Sequence, residues 1–246
     1  MNRDSNVIIS THLLTKKYKK SVALDSLDLT INKGEIFGFL GHNGAGKTTT
    51  VSMLTTLLLP TSGSALVCGF DVVKDSFEVK KRIGYLPENV KFYDNLTAYE
   101  NLAYLAQLSG IHNPKDKINE TLNFLEFAGV ENKKLGEFSK GMRQRIGIAQ
   151  AILHDPQVLF LDEPTSGLDP MGIKKLRDII LKLNQEKGMT IFINTHLLSE
   201  VAKTCTTIGV LNHGKLIYKD SLKNIIQRFH NEDSLEDIYF SMDSIQ

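Results

Sequence analysis

The residues best suited to do chemistry begin with Gly41-His-Asn-Gly-Ala-Gly-Lys-Thr48, which fits the pattern G-x-x-x-x-G-K-[ST] at every fixed position. On ordinary residue usage, roughly one random chain in a hundred of this length would contain it. Glycines let a backbone turn tightly and aim its N–H groups inward at an anion. The positive end of a following helix falls on the same spot. Lys47 is then able to reach the β- and γ-phosphates of a nucleotide, and the Thr48 hydroxyl to ligate Mg²⁺. The alternative is a Gly-rich turn joining strand to helix. Flanking residues favour the phosphate cradle, because Glu35–Leu40 reads as a buried strand entering the loop and Thr48–Leu59 as a helix leaving it.

A second cluster is Val158-Leu-Phe-Leu-Asp-Glu163, a buried strand that delivers carboxylates at its C-terminal end, where open parallel sheets hold their ligands. Asp162 suits the Mg²⁺ shell, and Glu163 suits orienting and polarising an attacking water. A third is Phe138-Ser-Lys-Gly-Met-Arg-Gln-Arg145, where Ser139 and Gly141 stand at a helix start. By itself that is either a capped helix or an anion-binding device. Tyr18, in the basic run Lys16–Lys20, is either a surface aromatic or a platform for a base.

The elements that must carry these residues read as an α/β chain. Val7–Leu13 and Leu27–Ile31 alternate as strands, and Ser64–Cys68 and Ile83–Leu86 follow the loop helix. Asp75 is a candidate cap for a short helix. From Thr97 to Gly129 the character is helical, opened by the capping box Thr97-Ala-Tyr-Glu100 and resumed at Pro114 with Ile118, Leu122 and Leu125 on one face. Strands return at Val158–Leu161 and Thr190–Asn194, around a helix whose stripe is Ile173, Leu176, Ile179, Ile180 and Leu183. Thr206–Leu211 and Lys215–Tyr218 flank the turn Asn212-His-Gly214. One helix from Ser221 and an acidic end, Leu235–Phe240, close the chain.

Bulk numbers exclude several classes. The 246 residues suffice for one α/β domain of generous size or one domain with an inserted subdomain. With 29 basic and 28 acidic residues the net charge is +1, which does not describe a nucleic-acid-coating surface. Cys68 and Cys205 lack metal spacing and read as small buried hydrophobes in a reducing compartment. The first residues form no apolar signal segment, and the longest apolar runs are strand-length. The expectation is a cytoplasmic protein that sits at a membrane only through a partner.

Together the motifs resemble the nucleotide-binding subunit of an ABC transporter, over about Val7 to Tyr218. Its Walker A loop matches Gly41, His42, Asn43, Gly44, Ala45, Gly46, Lys47, Thr48 and Thr49, and its Walker B strand matches Val158–Glu163. The family signature matches Phe138-Ser-Lys-Gly-Met142, a looser form of L-S-G-G-Q, and the D-loop matches Ser166-Gly-Leu-Asp169. The switch histidine matches His196, and the A-loop aromatic matches Tyr18, which makes base stacking its expected role. At the Q-loop the family's glutamine is replaced by Glu88, which would approach Mg²⁺ or the water as a carboxylate. That glutamate, with the S-K-G-M signature and Leu54–Gly63, is similar to the exporter branch handling drugs, antibiotics, peptides or sodium.

The resemblance implies a P-loop NTPase core of the ABC ATPase type, with an antiparallel β portion and an inserted α-helical subdomain. Its parts would be 6–86, 87–147 with the Q-loop and signature, 148–219, and a helical tail at 220–246. It also implies ATP and Mg²⁺ as ligands, with Lys47, Glu163 and His196 catalytic and Thr48, Asp162 and Glu88 at the metal. In that fold Ser139, Gly141 and Asp169 serve the nucleotide of a second subunit, a copy of this chain or a related ATPase. An integral-membrane transporter subunit is the expected partner, at the inner face of the cell membrane, and no nucleic acid is expected. A soluble ABC-type ATPase acting on ribosomes or DNA is the rival reading, and an importer subunit a nearer one.

Overall fold

A computed structural model describes residues 6–19 and 21–228. Strands β3 (Ile36–Leu40), β7 (Val158–Asp162) and β8 (Thr190–Thr195) are buried at every position. Their central residues can be apolar in succession because a parallel sheet is covered on both faces. With β6 (Ile83–Leu86), β9 (Thr207–Asn212) and β10 (Lys215–Ser221) they form a six-stranded sheet in the order β10-β9-β3-β8-β7-β6. Only β10 runs antiparallel to its neighbour, β9. That hairpin turns through His213 (φ 44°) and Gly214 (φ 80°), the paired positive angles of a tight turn that keeps strand twist.

The period of two assigns alternate residues of each strand to different cores. Phe37, Phe39, Phe160 and Phe192 meet on one face, with ring centroids 5.3 to 6.0 Å apart. Against them pack Val51, Met53 and Leu54 of α1 (Lys47–Leu54). A four-stranded antiparallel sheet closes that core, ordered β2-β1-β4-β5, from β1 (Val7–Tyr18), β2 (Ser21–Asn32), β4 (Ser62–Val67) and β5 (Phe70–Asp71). A short helix, α2 (Ser76–Lys80), leads into β6. On the other face Ile36, Leu40, Leu159, Leu161, Ile191 and Ile193 join a core built with α3 (Ala98–Leu108), α4 (Lys115–Phe124), α5 (Lys140–Ile152) and α6 (Pro170–Lys187). Helices α7 (Leu198–Thr204) and α8 (Leu222–Arg228) complete the order.

Helix starts follow their caps. Thr97 Oγ1 accepts from Glu100 N at 3.2 Å, and Glu100 Oε2 accepts from Thr97 N at 2.7 Å, the reciprocal box expected. Ser139 caps α5 by accepting from Met142 N, and Asp169 caps α6 by accepting from Gly172 N. Ile118, Leu122 and Leu125 are buried as expected. Between β6 and β7 the described residues contain helices, turns and one isolated bridge, Thr97 to Lys134. Helix α5 runs unbroken through position 147.

Several local expectations are corrected. The loop helix stops at Leu54 rather than Leu59: Thr55 returns its hydroxyl to Val51 O, and Thr56 adopts φ 64° ahead of Pro60. The first strand runs past Leu13 to Tyr18, because a kink at Leu13 (φ 48°) and register shifts absorb the broken alternation. Asp75 does not cap α2; its Oδ2 accepts from Asp71 N and closes the preceding turn. Ile173, in the first turn of α6, is half-buried, unlike the rest of its stripe. Cys205 is buried and Cys68 half-buried. The acidic end Leu235–Phe240, and Lys20 of the basic run, lie outside the described residues. Among those described, no helix is long and apolar enough to cross a membrane.

Candidate nucleotide site

Parallel pairing brings four strand ends to one edge. Leu40 pairs with Thr195, Asp162 with Asn194, and Leu86 with Leu161. So the glycine loop after β3, Glu88 after β6, the carboxylates ending β7 and His196 after β8 all emerge together, where open parallel sheets bind ligands.

The loop is held by backbone geometry. Gly44 and Gly46 have φ of 87° and 108°, and a Cβ at Gly46 would lie 2.3 Å from Ala23 O. A Cβ at Gly44 would meet nothing within 4 Å, so the loop is open where a phosphate would approach. Ala45 N donates to His42 O at 3.1 Å, and Gly214 N donates to Ala45 O at 2.9 Å, fastening the loop to the β9–β10 turn. His42 adds a side-chain tie, with Nε2 3.2 Å from Asn212 Oδ1 and its ring 5.1 Å from that of His213.

Lys47 is buried at the start of α1. Its Nζ donates to Gly41 O at 2.7 Å and His42 O at 3.2 Å, and lies 4.0 Å from Glu163 Oε1. Burial lowers its pKa, against the opposing pull of Glu163 and Asp162. Glu163 has φ 46°, a left-handed angle that re-aims the chain directly after the strand. Consecutive strand residues point to opposite faces, so without this kink Asp162 and Glu163 would diverge. Glu163 N donates to Asn194 O at 2.8 Å, and Glu163 Oε2 lies 2.9 Å from His196 Nδ1.

A cleft of about 520 Å³ gathers Asn43, Gly44, Gly46, Lys47, Thr48, Thr49, Glu88, Glu163 and His196, together with Ala23 and Ser166. Asp162 is buried beside it, and Tyr18 ends β1 half exposed, with Lys16 Nζ 5.3 Å from its ring centre. Ser139, Gly141 and Asp169 are not brought to this cleft. They line a different cavity, of about 360 Å³, that shares none of its residues and carries Lys140, Arg145 and Lys175.

The donor set also fits a hard cation. Asn194 donates to Asp162 Oδ1, and its Nδ2 is 3.5 Å from Thr48 Oγ1, which ties together two of the oxygens proposed for the metal. Among the described residues no group of three or more His, Cys, Asp or Glu could hold a metal alone. A threonine hydroxyl and one carboxylate are the oxygens that suit Mg²⁺, which keeps waters and takes phosphate oxygens alongside one or two protein ligands. Asn194 was missed by sequence reasoning. Its only signal is a polar amide one residue before the end of a buried strand. Ser166 was legible only as the first residue of the D-loop match, and Ala23 carries no signal at all.

Burial raises the pKa of Asp162; the Asn194 hydrogen bond opposes the rise, Glu163 and Glu88 add to it, and Lys47 opposes it. The folded state therefore holds this proton more firmly than the unfolded chain. The group's contribution to stability is fully present below the unfolded pKa, is lost as pH rises through the folded pKa, and is least at neutral pH. Asp162→Asn should raise the melting temperature of the nucleotide-free protein at neutral pH, by about 2–4 °C for each kcal/mol relieved, while ATPase activity falls away. A calorimetric scan at several pH values checks this; an unchanged or lower melting temperature at neutral pH would contradict it.

A glycine loop between a buried parallel strand and a helix, facing carboxylates at the end of a nearby strand, defines a P-loop nucleoside triphosphatase. The ABC transporter family model matches residues 24–166, more than half of the chain, so the chain belongs to that family. It is 46% identical over 212 residues to a bacitracin transport ATP-binding protein of Bacillus licheniformis, covering 86% of this chain and 69% of that one. It is 40% identical over 220 residues to the ABC transporter ATP-binding protein NatA of Bacillus subtilis, covering 88% and 89%. The solved structure of an ATP binding subunit of an ABC transporter superposes with a TM-score of 0.84 at 26% identity, over 96% of this chain and 99% of that one. A dimeric ATP-binding cassette in a post-hydrolysis state with ADP and phosphate superposes at 0.78 and 26%, over 87% and 99%. The protein is the ATP-binding subunit of an ABC transporter and an ATPase of that type.

Proposed function

We propose that this chain drives an exporter by closing as a two-fold dimer around two ATP molecules, hydrolysing them, and passing the motion to a separate membrane subunit. The observation that carries this reading is the separation of Ser139 and Gly141 from the chain's own Lys47 cleft. A helix start with a serine cap and free N–H groups suits a phosphate, and an isologous contact would bring each to the other copy's nucleotide. Asp169, at the start of α6 in the same cavity, would face that interface. Tyr18 would stack on the base, and His42, Asn43, Gly44, Ala45, Gly46 and Thr49 would line the phosphates.

In each site Lys47 would exchange its carbonyl partners for the β- and γ-phosphates. Thr48 and Asp162 would hold Mg²⁺, with Glu88 near its shell; the ion would neutralise charge developing on the phosphates. Glu163 would orient the attacking water and draw on its proton. With Nδ1 of His196 engaged by Glu163, Nε2 is the nitrogen left to face the γ-phosphate. Loss of the γ-phosphate removes what both subunits share, so the clamp opens. Swinging such an equilibrium between extremes takes about 5.5 kcal/mol of differential binding. Charge-assisted contacts in two sites at once are of that order.

The division into 6–86, 87–147, 148–219 and 220–246 is offered as the working anatomy, with the second part as the moving helical arm. Relatives named as bacitracin transport ATP-binding proteins, and one named as the ATP-binding protein of a probable multidrug ABC transporter, support export. A protein of net charge +1 with no membrane-crossing helix among its described residues suits the cytoplasmic face, held there by its membrane subunit.

Ser139→Arg tests the shared site. The monomer should bind ATP as before, while ATPase activity falls by about 10²-fold or more because the side chain fills the space of the opposing phosphate. Unchanged turnover would sink the two-subunit site. Co-purification of an apolar membrane subunit supports the transporter role; recovery of ribosomes or DNA in its place would support the rival.

A further inference from the structure

Asn194 stands where the two halves of the site meet. The strand order is β3-β8-β7, so β8 separates the strand that feeds the glycine loop from the strand that ends in Asp162. A residue ending β8 can therefore touch both. Asn194 does: Nδ2 donates to Asp162 Oδ1 and lies 3.5 Å from Thr48 Oγ1, while its backbone O accepts from Glu163 N at 2.8 Å. Its side chain is fully buried, and its Oδ1 has no protein partner. A buried amide acceptor left alone is uncommon and calls for a water or ion as partner. The choice of an amide also matters. A neutral donor fixes a carboxylate without cancelling its charge, where a lysine or arginine in the same place would compete with a cation.

We propose that Asn194 is a positioning residue for the divalent cation: Nδ2 presets Asp162 and Thr48 relative to each other, and Oδ1 accepts from a water of the cation's shell. This rests on the reading of Thr48 and Asp162 as the cation's protein ligands. Outer-shell partners of this kind alter metal affinity by about 10–100-fold when removed. The role is distinct from that of His196, which faces Glu163 two residues further on.

The test uses Asn194→Leu, which removes both polar atoms at similar size, and Asn194→Ala, which removes them and leaves room for water, neither adding charge. A fluorescent ATP analogue is titrated in EDTA and again across a Mg²⁺ series. Mn²⁺ binding with a non-hydrolysable ATP analogue is followed by electron paramagnetic resonance, and ATPase activity by Mg²⁺ titration. Affinity for the analogue in EDTA should stay within about 2-fold, while the Mg²⁺ and Mn²⁺ concentrations for half-saturation rise about 10-fold or more. If only Asn194→Ala folds, its cation titration decides alone. Half-saturation within 2-fold of wild type in every folded variant would overturn the proposal. So would equal losses with and without cation, which would mark Asn194 as a support of the loop. A wild-type protein whose nucleotide affinity and activity ignore Mg²⁺ would overturn the cation reading itself.

Discussion

Glu163→Gln should bind ATP at least as tightly as wild type and turn it over about 10²–10⁴-fold more slowly, accumulating as a closed dimer. The substitution is near-isosteric, and the amide oxygen can still meet His196 Nδ1, now 2.9 Å from Glu163 Oε2. What disappears is negative charge 4.0 Å from Lys47 and the ability to draw on a proton of water. Removing an anion beside the γ-phosphate favours ATP, so binding and turnover should move in opposite directions. That split separates a chemical role from a structural one, since a misfolded site would lose both. Steady-state ATPase and size-exclusion chromatography with ATP check it. Full turnover by the variant would remove Glu163 from the water-orienting role.

Lys47→Ala should lose about 10–100-fold in ATP affinity and at least about 10²-fold in turnover. The lysine is buried, with its pKa lowered by that burial, and it fastens the loop through Gly41 O and His42 O. Without nucleotide those carbonyls hold the ammonium; with nucleotide the phosphates would compete for it. Truncation removes the phosphate contact and also leaves both carbonyls without that donor. Lys47→Arg should not rescue, because a planar guanidinium is larger and cannot replace a point charge at that depth. Equilibrium binding of a fluorescent ATP analogue, with the ATPase assay, measures both effects. Wild-type affinity in Lys47→Ala would show that the loop backbone alone carries nucleotide binding.

Much of the fold was legible because the signals are local. The short apolar runs within β3, β7 and β8 read as strands covered on both faces, and they are buried throughout. Thr97–Glu100 caps itself within one turn, so no distant residue could change that outcome. Where expectation failed, a backbone contact that the residue pattern does not record decided. Asp75 had a nearer donor in Asp71 N, and Thr55 and Thr56 ended a helix whose apolar pattern continued to Leu59. The long β1 is held through Lys17 and Tyr18 by pairing with Val22 and Ser21, which overrides its charged composition.

The candidate site divides the same way. The loop Gly41–Thr48 and the pair Asp162–Glu163 were readable alone, since their chemistry is written in residue type and spacing. Their meeting in one cleft depends on strand order: β8 lies between β3 and β7, and parallel pairing aligns all three ends. Strand order is a property of contacts far apart in the chain and leaves no mark in any single motif. For the same reason Asn194 was invisible until its neighbours were known. The kink at Glu163, which turns the second carboxylate toward Lys47, has no residue-type signature either.

By itself, then, the sequence determined that this protein has a phosphate-binding loop, paired carboxylates and a helix start fit for an anion, because each is a short-range pattern. Only the tertiary structure decided which of them share a cleft. It joined the loop to Glu88, Glu163 and His196, and kept Ser139 and Gly141 in a cavity of their own, because sheet order and helix packing set distances between segments that the chain does not encode locally.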